Sequence, residues 1–114
     1  MRADEEQVCV VLCTVPNEEV ATAVVRAALQ GRAAACVNVL PGVRSHYWWE
    51  GRLQADTEQL LIIKTTRARY PALQAAVREA HPYDVPELIV LDTVDGWPPY
   101  LAWVAQESRP QKDA

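Results

Sequence analysis

Glycine is scarce in this sequence, four in 114 residues, and histidine scarcer still at two. No glycine-rich loop is therefore present to cradle a phosphate, and no carboxylate pair stands at helical spacing where a pocket is expected. The chain also lacks a basic surplus: 11 Lys and Arg against 15 Asp and Glu give a net charge of -4 and an isoelectric point near 5.1. With so little to replace phosphate counterions, nucleic acid is excluded as a general partner. No apolar run approaches the ~20 residues that cross a bilayer, so membrane insertion is excluded too. The start, Met1 to Gln7, is polar and acidic and lacks the basic and apolar stretches of a secretory signal, which predicts a cytoplasmic protein. The three cysteines, Cys9, Cys13 and Cys36, are an odd number and read as reduced thiols rather than a disulfide framework. Cys9 and Cys13 share a face of one strand but lie ~13 Å apart, too far for a disulfide or a common metal ion within the chain.

What is present is apolar patterning sufficient for one domain: half of the 12.7 kDa chain is hydrophobic. Val8 to Val15 (VCVVLCTV) is an apolar, β-branched run closed by Pro16, suited to a buried strand. Asn17 then offers an N-cap, Glu18 and Glu19 place negative charge in a first turn, and Val20, Val24, Ala27 and Ala28 repeat at helical spacing until Gly31. From Ala34 to Trp49 strand character returns, with Val37, Val39, Val43 and Tyr47 expected on one face. Pro41-Gly42 interrupts this strand and places it at an edge with a bend. Glu50-Gly51-Arg52 is the predicted turn into a third strand, about Leu53 to Thr66, whose end Leu60-Leu61-Ile62-Ile63 calls for a central position. Pro71 opens a second helix that stops at His81-Pro82. Glu87 to Thr93 predicts a fourth strand, and a third helix starts near Pro98-Pro99. Met1 to Glu6 and Ser108 to Ala114 are expected to be loose, leaving an ordered core of about 7 to 108.

The order βαββαβ with two amphipathic helices predicts an α+β domain of the ferredoxin-like kind, with strands 1 and 3 central and an extra C-terminal helix. A strand of this hairpin would reach ~50 Å, more than a small domain pairs internally, so its distal half must protrude or meet another chain. Closed self-assembly is the usual protection for an edge carrying Tyr47, Trp48 and Trp49.

Several segments together resemble the CutA family, the divalent-cation tolerance proteins: LCTVPNEEVA (Leu12 to Ala21), AAACVNVLPGVRSHYWWEG (Ala33 to Gly51), LIIKTT (Leu61 to Thr66), AHPYDVPELIVL (Ala80 to Leu91) and YLAWV (Tyr100 to Val104). They cover nearly the whole chain in the family's order. The resemblance implies a ferredoxin-like homotrimer, similar in shape to the PII signalling proteins, in which long strands of neighbouring subunits pair about a threefold axis. It also implies a link to copper tolerance, while animal members are tied to anchoring an enzyme at membranes. A shared fold does not by itself carry a shared activity.

The resemblance further implies a metal site at Cys13 and His81, a thiolate and an imidazole that suit copper or another divalent ion. The plainer reading is a small buried thiol and a histidine ending a helix, since no CxxC or HxxxH spacing is present, and Ala80 stands where some members carry a second histidine. Cys36 also matches the family, and its plainer reading is a small buried hydrophobe. A second constellation is an intersubunit cleft with an aromatic wall and a Lys-Glu pair, drawn from Tyr47 and Trp49 on the hairpin, Lys64, Tyr83 and Glu87, with Cys36 nearby. It would suit a small anionic ligand. Its plainer reading is an intersubunit salt bridge beneath packed aromatics. Arg67 and Arg69 read as a solvated turn. Three functions stand side by side: a copper-binding trimer, a PII-like ligand-sensing or partner-docking trimer without catalysis, and, least supported, an enzyme using Cys13 and His81.

Overall fold

The computed structural model describes residues 7–110. Its elements are β1 (Val8–Val15), α1 (Glu18–Gln30), β2 (Cys36–Trp49), β3 (Arg52–Thr66), α2 (Tyr70–Ala80), β4 (Ile89–Asp92) and α3 (Pro98–Glu107). The strands form one antiparallel sheet in the order β2-β3-β1-β4, so β1 and β3 are central, as the apolar runs require. This is the ferredoxin-like arrangement with an added helix.

Alternation divides the sheet into two unlike faces. Cys9, Val11, Cys13 and Val15 from β1 and Leu61 and Ile63 from β3 are fully buried, with Val24 and Ala28 of α1 and Leu73 and Val77 of α2 in the same core. Asn17 caps α1 through its side chain, which accepts from the Val20 amide at 2.9 Å. The opposite face carries Leu12, Leu60 and Ile62, only half-buried, and Leu40, Ile89 and Leu91, exposed. α3 meets this side of β3 and β1 near one end, where Tyr100 comes beside Cys36, and the rest is left bare.

Three expectations are corrected. Val37, Val39, Val43 and Tyr47 do not share a face. Val37 and Val39 pair with Ile63 and Leu61, whereas Val43 and Tyr47 pair with Glu58 and Gln54, which point the other way. The cause is the bulge between Leu40 and Val43, where Gly42 takes a positive φ of 75°; one extra residue reverses every side chain beyond it. The fourth strand, Ile89–Asp92, is shorter than Glu87 to Thr93; at its start the Thr14 carbonyl, which the Glu87 amide would need to extend the pairing with β1, is taken by His81 at 2.8 Å. Ser108 is not loose: it is fully buried and its amide donates to the Val104 carbonyl at 3.0 Å. Met1 to Glu6 and residues 111–114 lie outside the described residues.

The hairpin closes on Glu50 and Gly51, with φ of 52° and 76°, the left-handed pair that a two-residue turn uses to match strand twist. Beyond the Val15 and Gln59 pair, β2 and β3 have only each other, so the distal hairpin extends past the sheet and the domain measures 47 × 33 × 22 Å. Trp48 and Leu53 face each other across it, 72% and 66% exposed. No helix among the described residues is long and apolar enough to cross a membrane.

Candidate functional site

Where the hairpin leaves the sheet, the segment after α2 turns back across the end of β1. An open cleft of about 670 Å³ lies between them. Tyr47, Trp49, Arg44 and His46 line it from β2, Glu58 from β3, Thr14 from β1, and Tyr83, Asp84 and Glu87 from the segment before β4.

Glu58 is the chemically unusual member. It is a carboxylate left only 6% exposed, and the Tyr83 hydroxyl donates to it at 2.7 Å. A buried charge needs such a donor. Burial first, and the bond to Glu58 second, push the Tyr83 phenol above its usual range. Tyr47 repeats the arrangement in the open, its hydroxyl donating to Asp56, and that bond raises the Tyr47 phenol. Among the residues that line the cleft three are acidic, Glu58, Asp84 and Glu87, and one, Arg44, is basic. Within one chain this lining favours a cation over an anion, whereas the expected small anionic ligand belongs to a cleft shared between subunits.

Of the residues singled out from sequence, Tyr47, Trp49, Tyr83 and Glu87 come together here, all within one chain. Lys64 and Cys36 do not line this cleft. They are cross-strand partners on the other side of the bulge, and the Lys64 ammonium donates to the Asn38 side chain, not to Glu87. Cys36 is half-buried beside Asn38 and Tyr100. Arg67 pairs with Asp92 at 2.9 Å, and Arg69 donates to the Arg32 and Gly31 carbonyls at 3.1 Å, so both serve the fold.

Cys13 and His81 lie directly behind the cleft. The Cys13 thiol is fully buried; burial first, then the Glu87 and Glu58 carboxylates, push it up to about 12. A metal ligand must be a thiolate, which this setting opposes. His81 is 6% exposed and both of its ring nitrogens are engaged, Nε2 with the Thr14 carbonyl at 2.8 Å and Nδ1 with the Tyr83 amide at 3.2 Å. No lone pair is left for an ion. Among the described residues no three His, Cys, Asp or Glu side chains are placed to hold a metal together. The Cys13 and His81 pair, as folded in one chain, does not fit a copper ion.

Sequence reasoning missed Glu58, Asp84 and Arg44. The available signal was the acidic side chain just before the central apolar run, on the alternation that carries Leu60 and Ile62.

Comparison with known proteins agrees with this architecture. The profile of the CutA1 divalent ion tolerance protein family matches residues 9–107. The divalent-cation tolerance protein CutA of Thermus thermophilus is 44% identical over 99 residues, covering 87% of this chain and 96% of its own length. Protein CutA of Mus musculus is 48% identical over 93 residues, and there the match spans 82% of this chain but only 52% of the longer relative. Among solved structures, the divalent cation tolerance protein from Thermus thermophilus superposes with a TM-score of 0.86 at 44% identity, covering 88% and 97% of the two chains. CutA from Xylella fastidiosa gives 0.87 at 35% identity over 90% and 99%. The chain belongs to the CutA1 divalent ion tolerance family.

Proposed function

We propose that the protein serves divalent-cation tolerance as a non-catalytic homotrimer, and that the cation, copper(II) first among the candidates, is drawn to the cleft between the hairpin and the Tyr83–Glu87 segment. The observation that carries this reading is the charge of the lining residues: Glu58, Asp84 and Glu87 against Arg44. No three of these side chains converge on one point within the described residues of a single chain, so a copper(II) ion here would take at most two of the carboxylates and fill its remaining positions from water or a neighbouring protomer.

A trimer is supported by two apolar surfaces that helices α1 and α2 leave uncovered, the sheet face of Leu40, Ile89 and Leu91 and the hairpin tip of Trp48 and Leu53. A binding role without turnover is supported by the state of the one thiol and imidazole placed near each other, since a neutral buried thiol and a fully bonded histidine make neither nucleophile nor base. A second reading, a partner-docking trimer, draws on the exposed Trp97 and Val94 ahead of α3, away from the hairpin.

Equilibrium dialysis against copper(II) tests the first reading. Saturable binding that falls at least tenfold in Glu87→Gln and Asp84→Asn but survives Cys13→Ala supports the cleft. Binding untouched by the carboxylate substitutions and abolished by Cys13→Ala would return the ion to the thiol.

A further inference from the structure

We infer that His81 is a positioning residue for the cleft rather than a metal ligand: fixed between the Thr14 carbonyl and the Tyr83 amide, it anchors the Tyr83–Glu87 segment and seats the Tyr83 hydroxyl on Glu58.

The two ring contacts define the tautomer. Nδ1 faces an amide N–H at 3.2 Å and must present its lone pair. Nε2 faces a carbonyl oxygen at 2.8 Å and must carry the proton. His81 is thus a neutral Nε2–H imidazole, one nitrogen bound to the end of β1 and the other to the backbone two residues downstream. Its own amide closes α2 on the Val77 carbonyl at 2.8 Å, so the ring is fixed to the helix it terminates. The Tyr83 ring packs against the imidazole, centroids 4.6 Å apart, and its hydroxyl reaches Glu58. Thr14, His81, Tyr83 and Glu58 form one continuous chain of bonds across the end of β1. Every link is used, so an ion on His81 would have to break the bond to Thr14 or the bond to Tyr83. The inference holds whether or not the cleft takes a cation, because it rests on the contacts of the imidazole alone.

Long-range proton-nitrogen correlation spectra of the 15N-labelled trimer read the imidazole directly, and zinc, being diamagnetic, serves as the probe ion. The His81 signals are those absent from His81→Leu. The inference predicts the Nε2–H pattern, unmoved by up to about two zinc ions per chain, whether the ion is held elsewhere or not at all. The Nδ1–H pattern, or ring nitrogens that move to ligated values as zinc is added, would overturn it. Hydrogen exchange supplies the second readout. The Tyr83 amide should exchange on the order of tenfold faster in His81→Leu, the loss of one bond, and regain its protection in His81→Asn, whose side-chain oxygen replaces Nδ1 as acceptor. Equal exchange rates in all three proteins would contradict the anchoring role.

Discussion

The Cys13 thiol is held neutral because charge there would be buried among carboxylates, and Cys9, buried beside Asp92, is likewise pushed up to about 11. Both values lie above that of an unfolded thiol, so above about pH 8.5 the unfolded chain releases protons that the folded chain keeps. The stability these groups contribute is complete below the unfolded value and is lost as pH rises through the folded ones. Urea unfolding between pH 8 and 11 should therefore show stability falling with pH, more shallowly in the Cys9→Ala/Cys13→Ala double variant. Identical slopes would remove the thiols from the account. Glu58 provides a second residue-scale prediction. Tyr83→Phe leaves that buried carboxylate without its donor and should cost about 1–3 kcal/mol, while adding Glu58→Gln should recover part of the loss; chemical denaturation of the four proteins completes the cycle. The cleft's importance could not be read from the sequence at this scale, because Glu58 and Tyr83 are 25 positions apart and meet only when the segment after α2 crosses the end of β1. Tyr47, Trp49, Tyr83 and Glu87 were legible as a group, whereas Lys64 was not legible as Asn38's partner, since side chains choosing among nearby acceptors leave no periodic trace.

Individual elements were far more legible than the site. VCVVLCTV bounded by Pro16 could only be a buried strand, and Asn17, followed by Glu18 and Glu19, marked the start of α1. Asn17→Ala removes the cap to Val20 and should cost about 0.5–2 kcal/mol in thermal or urea unfolding, with Asn17→Asp close to the parent. What local pattern could not supply was the consequence of the Pro41-Gly42 bulge. Pro41 and Gly42 announced an interruption but not the reversal of faces, which depends on how many residues of β3 oppose the bulge. That reversal turns Tyr47 toward Glu58 and Asp56, so the aromatic side of the cleft follows from one extra residue in β2. The truncation of β4 at its start was equally hidden, for it depends on His81 occupying the Thr14 carbonyl from a different element.

The whole molecule is a domain with one covered sheet face, one largely bare face and a hairpin projecting beyond both. Such surfaces are stable in water when copies cover them. Sedimentation equilibrium should give about 38 kDa, three copies of the 12.7 kDa chain, and Leu91→Lys on the bare face should shift the protein toward the single-chain mass. A parent protein that sediments as 12.7 kDa would contradict the assembly. The proposed cation belongs in the carboxylate cleft, and the alternative place for it is the Cys13 and His81 pair behind it. Anomalous diffraction at the copper edge, from crystals grown with copper(II), locates the ion without substitution. The peak is expected in the cleft beside Asp84 and Glu87, with the Cys13 and His81 side chains unmoved; a peak between the Cys13 sulfur and a His81 ring nitrogen would contradict the cleft as the place of binding.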